Sequence, residues 1–400
     1  MPRASYRAAV LSGDLSALAR ALVLVAAGVV TTAAGAPGAG EPKLARASQT
    51  EVMALKKMVD RIVSGVDQPG GDAWLKWSSH FLKGRDGRTY VPFTVTIDDA
   101  PAGFDSVVLY VRVVENLPGD RTSNVANLAG VPVGEVPVSV PERQFRRAGE
   151  PTAGENSAVL QSLTAKDRKG LPFEDIYPAA RASDAAAAPL EPHRIQRALS
   201  VKPGRYIVYV AVRERPVKDG KDAPARVATL RREIDVPDFT QTRLQTSSII
   251  LADHVEPLPA PLTKDEQRLR PYALGTSEVV PAHETRFSQS QALAVTFFVY
   301  NAVEDTTGKP NVTVEYRIYS AGGGTEKLLA QTRPVVLDGT TLPANFSLKA
   351  GHQLAPMQSV VLQHLSAGPY RLRIHVVDNV SGEQLFEEAP FIVRDDTSSR

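Results

Sequence analysis

Two stretches decide the fold, Lys202-Pro-Gly-Arg-Tyr-Ile-Val-Tyr-Val-Ala-Val-Arg-Glu214 and Ala367-Gly-Pro-Tyr-Arg-Leu-Arg-Ile-His-Val-Val-Asp378. Each begins with a glycine and proline turn, opens with a tyrosine, alternates apolar residues and ends on an acid. An apolar residue at every second position is typical of a β-strand with one buried face. In immunoglobulin-like sandwiches, a tyrosine near the start of the penultimate strand hydrogen-bonds back across a corner. The repeat therefore predicts two related β-sandwiches, with Tyr206 and Tyr370 as structural tyrosine corners.

The same alternation on either side of these stretches sets the domain layout. It predicts an all-β protein with two tandem immunoglobulin- or fibronectin-III-like sandwiches, over residues 85–238 and 243–394, and a tail at 395–400. We expect antiparallel strands that are buried on one face only. A long insertion, 116–192, interrupts the first sandwich, and a proline-rich one at about 253–284 interrupts the second. Insertions of this length are expected to form surface loops.

The N-terminus has the pattern of an export signal. Arg3, Arg7 and Arg20 precede an apolar run, Ala21–Val30, and small residues follow up to Ala36. A basic region, a short apolar stretch and a small-residue zone are typical of a signal peptide. The apolar run is shorter than the roughly 20 residues of a membrane span. We predict a signal peptide over 1–36, with an uncleaved anchor as the alternative, and therefore a periplasmic or extracellular protein.

Residues 37–84 are predicted to be a linker and one amphipathic helix. Ser48 and Glu51 have the spacing of a capping box, which marks a helix start. A single stripe at helical spacing follows and predicts a helix over about 49–64; it consists of Val52, Leu55, Val59 and Ile62. We expect this stripe to pack on the next domain, although docking on a partner is the alternative.

Composition excludes several classes of chemistry. The chain has no cysteine, which rules out disulfides, zinc–thiolate sites, iron–sulfur clusters and cysteine nucleophiles. A net charge of +2 gives no strong positive electrostatic potential that would favour the binding of nucleic acid. Hydrophobic residues make up 43% of the chain, so a core without disulfides is feasible at this length.

One group of residues has the chemistry of metal ligands. Asp253, His254 and Glu256 lie close in sequence, and His283 and Glu284 follow in the same proline-rich insertion. Imidazole and carboxylate suit zinc or manganese, but this spacing matches no metalloenzyme motif such as His-Glu-x-x-His. We therefore expect these side chains to be solvated and assign no catalytic residue, no cofactor and no metal ligand. A metal-dependent hydrolase accessory using His254, Glu256 and His283 is kept as an alternative.

Trp74 and Trp77 allow a different alternative. Paired tryptophans on a protein surface are typical of sites that stack against sugar rings. In this alternative, the chain is a carbohydrate-binding module. Tryptophans beside a sandwich more often close the end of its core. We expect Trp74 and Trp77 to do the latter.

Five short stretches resemble the C-terminal tandem β-sandwich region of large secreted bacterial proteins described as VWFA-related. They are Ile234–Phe239, Leu244–Leu251, Arg286–Leu293, Phe297–Asn301 and Leu365–Leu372. The resemblance covers roughly residues 85–394 and implies tandem sandwiches in an exported protein. In that family a von Willebrand A domain carries a metal-ion-dependent adhesion site. This sequence has no Asp-x-Ser-x-Ser motif, so that metal chemistry is not carried over.

These observations together predict a non-enzymatic binding or scaffold protein of the bacterial cell envelope. Sandwiches recognise partners through loops and sheet edges. The contact region expected from the sequence is the insertion 116–192, together with the helix at 49–64. A protein partner in the envelope is expected, with no nucleic acid, and membrane contact only through an uncleaved N-terminal segment.

Overall fold

The computed structural model describes residues 47–70, 74–98, 104–116, 171–180, 193–216, 226–282, 284–321 and 326–395. These residues form an all-β protein with two short helices, α1 (Gln49–Val63) and α2 (Lys264–Leu269). No helix in the described ranges is long and apolar enough to cross a bilayer. The predicted signal peptide, 1–36, lies outside them.

The first half contributes two antiparallel sheets that face each other across one core. Sheet 1 has β3 at its centre, with β1 and β2 on one side and β6 on the other, and sheet 2 has the order β5-β4-β7-β8. Sheet 1 consists of β1 (Leu75–Ser79), β2 (Leu82–Lys83), β3 (Thr89–Ile97) and β6 (His193–Val201). Sheet 2 consists of β4 (Phe104–Glu115), β5 (Phe173–Ala180), β7 (Gly204–Pro216) and β8 (Val227–Val236).

The second half adds two more sheets and a short ribbon. Sheet 3 has the order β11-β12-β10-β14-β19, and sheet 4 has the order β13-β21-β20-β16-β17, with β18 also paired to β16. Sheet 3 consists of β10 (Ile250–Pro257), β11 (Ala273–Leu274), β12 (Ser277–Pro281), β14 (Ala292–Thr296) and β19 (Met357–Val361). Sheet 4 consists of β13 (Arg286–Ser288), β16 (Val312–Ser320), β17 (Leu328–Gln331), β18 (Val335–Leu337), β20 (Gly368–Asp378) and β21 (Gln384–Arg394). The ribbon pairs β9 (Gln245–Thr246) with β15 (Val299–Tyr300).

The four sheets stack in the order 2–1–3–4. Sheets 1 and 2 share one hydrophobic cluster, and sheets 3 and 4 share a second. The first cluster also contains Ile250, Tyr272 and Val279 from the second half, because sheet 3 packs on the outer face of sheet 1. The Tyr90 hydroxyl donates a hydrogen bond to the Pro271 carbonyl across this interface, and Arg194 donates one to the Pro281 carbonyl.

This stacking corrects the expectation that the strands are buried on one face only. Val91, Phe93, Val95 and Ile97 of β3 point into the first core, as the alternation predicts. The residues between them, 92, 94 and 96, are also buried, because sheet 3 covers that face. Proline and threonine at these positions look like solvent-facing residues in the sequence, which is why the second contact was missed.

Both predicted surface insertions contain sheet strands. Within 116–192, β5 pairs with β4 along its whole length, while 117–170 and 181–192 lie outside the described residues. Within 253–284, β10 and β12 pair with each other, and α2 and β11 lie between them. Residues 297–298 separate β14 from β15, and residues 332–334 separate β17 from β18.

Helix α1 forms where the sequence predicts it. Ser48 and Glu51 make both hydrogen bonds of the capping box. The stripe of Val52, Leu55 and Val59 is buried on the outer face of sheet 2, against Tyr110, Tyr209 and neighbouring apolar residues. The apolar stripe is therefore used within the chain and is closed to a partner.

Candidate functional site

The two tyrosine-led turns have matching geometry. The Tyr206 hydroxyl donates to the Lys202 carbonyl at 2.9 Å, and the Tyr370 hydroxyl donates to the Ser366 carbonyl at 2.6 Å. Both bonds reach back four residues along the chain. The glycine that opens each strand has a φ of +150° or +153°, a conformation that favours glycine over any other residue. These two turns close the same corner in each half.

Removal of either hydroxyl is expected to destabilise the protein. Tyr206→Phe and Tyr370→Phe each keep the buried ring but leave a carbonyl without its donor, which costs about 1–2 kcal/mol. The two effects are expected to add, since the sites share no neighbours. Denaturant unfolding of both single variants and the double variant measures this. Tyr319→Phe, on an open sheet face, is the matched control, and an equal loss there would argue against a special role for the corners.

The two tryptophans pack against the first core. The rings of Trp77 and Phe93 are stacked with centroids 4.3 Å apart, and the Arg226 guanidinium lies 4.4 Å from the centroid of the Trp74 ring. Both indoles are half-buried beside the core residues of sheets 1 and 2. One face of each ring is therefore occupied by the protein itself.

The candidate metal ligands do not converge in the described residues. His254 Nε2 lies 2.9 Å from Glu256 Oε1, and both side chains are exposed on β10. Glu284 instead pairs with Lys76 of the first half at 2.5 Å. His283 lies outside the described residues, and no group of three or more metal-binding side chains occurs within them.

Arginines on sheet 2 hold helix α1 in place. The Arg112 guanidinium on β4 lies 2.6 Å from Asp60 Oδ1 and 3.0 Å from Glu174 Oε1. Arg215 on β7 donates to both carboxylate oxygens of Glu51, each at 2.9 Å. Partial burial opposes ionisation of Glu51, but hydrogen bonds from Arg215 and Ser48 outweigh it and lower its pKa to about 2. The outer face of sheet 2 is thus closed by apolar contact and by two arginine–carboxylate pairs.

No helix or strand of the described residues covers the corresponding outer face of sheet 4, so among them this face is open. Across its strands, Arg317 faces Arg373 and then Glu388, and Glu315 faces His375 and then Phe386. The rings of His375 and Phe386 stack with centroids 4.2 Å apart, and 57% of the Phe386 surface is exposed. Among the described residues, six of the eleven exposed large apolar side chains lie on sheet 4 or its turns; they are Leu328, Leu329, Val336, Val380, Phe386 and Ile392. Exposed apolar groups concentrated in this way are typical of interaction surfaces.

The segment between the two halves is held by side chains of the second half. The Asn301 side-chain amide donates to the Gln241 and Arg243 carbonyls, and it does so from a left-handed backbone with a φ of +59°. The Leu244 amide donates to Glu383, and the Thr246 hydroxyl donates to Glu387 Oε1 at 2.8 Å. Burial raises the pKa of Glu387 to about 7, although the Thr246 hydrogen bond opposes this. The stretches Leu244–Leu251 and Phe297–Asn301 therefore meet at a fixed joint.

Sequence reasoning did not identify the open face. His375 and Phe386 occupy outward positions of their strands, where the sequence pattern alone gives no reason to expect a role. The available signal was a phenylalanine at an outward position of β21, directly opposite His375 of β20. No protein-family model matches the chain, and no curated protein matches it.

Proposed function

We propose that this chain is an exported, non-enzymatic binding or scaffold protein of the bacterial cell envelope, built from two immunoglobulin-like sandwiches that recognise a protein partner through exposed surface. The main support for this proposal is the contrast between the outer faces of sheets 2 and 4. Helix α1 closes the outer face of sheet 2, whereas sheet 4 exposes Phe386, arginines and aliphatic residues on the matching face.

Three further features support the proposal. The N-terminal pattern suits an exported protein. The packing of sheet 3 on sheet 1, with the Tyr90–Pro271 and Arg194–Pro281 hydrogen bonds, holds both halves in one arrangement, as a scaffold requires. Arginine and aromatic side chains, which are enriched in the centres of protein interfaces, are grouped on sheet 4.

Affinity capture from envelope extract tests the proposal. The full exported chain is expected to enrich a small, reproducible set of proteins over an unrelated β-sandwich protein used as bait. Two variants then locate the contact: one has residues 117–170 replaced by a short Gly/Ser linker, and the other carries Phe386→Asp. Capture that is lost in either variant supports a binding protein. A chain that enriches nothing over the unrelated bait contradicts the proposal.

A further inference from the structure

A row of three polar side chains crosses the short ribbon at the joint between the two halves. Strands β9 and β15 pair so that Gln245 lies opposite Tyr300. On the other side of β15, the antiparallel bridge between Val299 and Leu354 brings Gln353 next to Tyr300. Tyr300 is therefore flanked by two glutamines, one from the segment between the halves and one from the chain between β18 and β19.

The three side chains of this row lie on one side of the ribbon. Both residues of the bridge belong to the second hydrophobic cluster, so the residues next to them, Tyr300 and Gln353, point towards the first. Ala355, which follows Gln353 by two positions, packs on the first cluster and has the same orientation. Gln245 shares this side because directly opposite residues of a strand pair lie on one face.

The row contains a concentration of buried polar atoms. Within the described residues, four of its side-chain atoms are buried and have no hydrogen-bond partner; they are the Tyr300 hydroxyl, Gln245 Oε1, Gln353 Nε2 and Gln353 Oε1. Tyr300 is only 5% exposed, and burial raises its pKa, so the hydroxyl keeps its proton. Gln245 Nε2 donates to the Asp238 carbonyl, which identifies Oε1 as the unpaired end of that amide. Four such atoms on three adjacent residues indicate that they share a partner.

The chemistry of the row selects a small neutral partner. Gln245 Oε1 needs a donor, whereas the Tyr300 hydroxyl and the Gln353 amide can both donate and accept. An anion cannot donate to Gln245. A cation is disfavoured because the Lys83 ammonium already lies 5.8 Å from the centroid of the Tyr300 ring. Water both donates and accepts, and it binds inside proteins where two to four polar groups converge.

We propose that the row Gln245–Tyr300–Gln353 is an internal hydration site, in which ordered water bridges the Tyr300 hydroxyl to the two glutamine side chains. The site joins parts that are distant in sequence. Tyr300 belongs to the first hydrophobic cluster although it lies in the second half, and Lys83 of the first half donates to the neighbouring Asn301 at 3.3 Å. Bound water therefore helps to hold the segment between the halves against their interface. This inference does not depend on the proposed function.

The sign of a stability change tests the inference. If water satisfies the row, Tyr300→Phe removes a used hydrogen bond and is expected to lower the melting temperature by about 2 °C. Tyr316→Phe is the matched control, because the Tyr316 hydroxyl is also buried and unpaired among the described residues, but its neighbours Ile374 and Phe297 are apolar. Removal of an unpaired hydroxyl is expected to leave the melting temperature unchanged or to raise it. A rise in Tyr300→Phe as well would overturn the inference.

A double variant and a high-resolution crystal structure of the full chain identify the water itself. Tyr300→Phe and Gln353→Met disturb the same bridge, so their combined loss in melting temperature is expected to be clearly smaller than the sum of the single losses. The crystal structure is expected to show ordered water within hydrogen-bond distance of the Tyr300 hydroxyl and of at least one of the two glutamines. Additive losses, or direct hydrogen bonds from these side chains to protein groups in place of water, would contradict the proposal.

Discussion

Tyr272→Ala is expected to lower the free energy of unfolding by about 3–5 kcal/mol, the usual cost of truncating a large buried side chain. Tyr272 belongs to the second half of the chain, yet it is fully buried in the first hydrophobic cluster. Its hydroxyl lies 2.8 Å from His80 Nδ1, and burial lowers the pKa of His80 to about 4, so the histidine is neutral at physiological pH. Truncation removes one of the residues that join sheets 1 and 3.

The variant is also expected to separate the unfolding of the two halves. Both tryptophans of the chain, Trp74 and Trp77, lie in the first half, so their fluorescence reports on that half alone. In the wild type, fluorescence and far-ultraviolet circular dichroism are expected to give one transition. In Tyr272→Ala, the fluorescence transition is expected to precede the dichroism transition.

Tyr272→Phe is the matched control for this prediction. It retains the ring and loses only the hydrogen bond, so we expect a loss of about 1–2 kcal/mol and coincident transitions. Two separate transitions in the wild-type protein would show that the interface between sheets 1 and 3 does not couple the halves, and the scaffold argument would then fail.

Local sequence patterns predicted the elements whose signal is complete within a few residues. Helix α1 was placed within one residue of its observed end, because its capping box and apolar stripe are both local. Strands β7 and β20 were predicted from alternation and the preceding turn, and their tyrosines lie at the corners. In these elements, the residues that define the pattern are also the residues that contact the core.

Contacts between residues far apart in the chain could not be predicted from local sequence patterns. β5 lies within the insertion 116–192, far from its partner β4 in sequence, and its consecutive acids Glu174 and Asp175 make it look polar. Glu174 is in fact buried beside Arg112 under the helix. The covering of β3 by sheet 3 depends on residues about 180 positions away, such as Pro271. No local periodicity in the sequence indicates that sheet 3 packs on β3.

The candidate site was the least predictable part of the molecule. The sequence directed attention to His254 and Glu256, which pair with each other on an exposed strand. The open face of sheet 4 draws its residues from three strands, and only the register brings Arg317, Arg373 and Glu388 into one row. A surface of this kind can be identified only when the adjacent strands of the sheet are known, because the outward residues of any strand look alike in sequence.

Glu387→Gln is expected to remove most of the decline in stability between about pH 4.5 and pH 7. Glu387 is half-buried on β21, its partner across the strand pair is Ile374, and the Thr246 hydroxyl on β9 donates to it. Burial raises its pKa from 4.5 to about 7. Below pH 4.5 the carboxyl is protonated in both states, and the contribution of Glu387 to stability is at its maximum. Between the two values only the folded state keeps the proton, so stability falls as pH rises and reaches its lower level above about pH 7.

The size of this effect follows from the shift. Each unit of pKa corresponds to about 1.4 kcal/mol, so the buried charge costs up to about 3 kcal/mol at pH 8. Glutamine keeps the acceptor for Thr246 and has no charge to bury, so the variant is expected to be more stable than the wild type at pH 8 and equal to it at pH 4. Urea unfolding at pH 4 and pH 8 measures the difference in stability between the variant and the wild type at each pH.

Thr246→Val separates the role of burial from that of the hydrogen bond. It removes the one interaction that lowers the pKa of Glu387 and leaves the burial that raises it. We therefore expect the decline in stability to extend to higher pH in Thr246→Val, and to disappear in the double variant with Glu387→Gln. If Glu387→Gln unfolds with the same pH profile as the wild type, the joint does not bury this charge, and the fixed contact between β9 and β21 must be reconsidered.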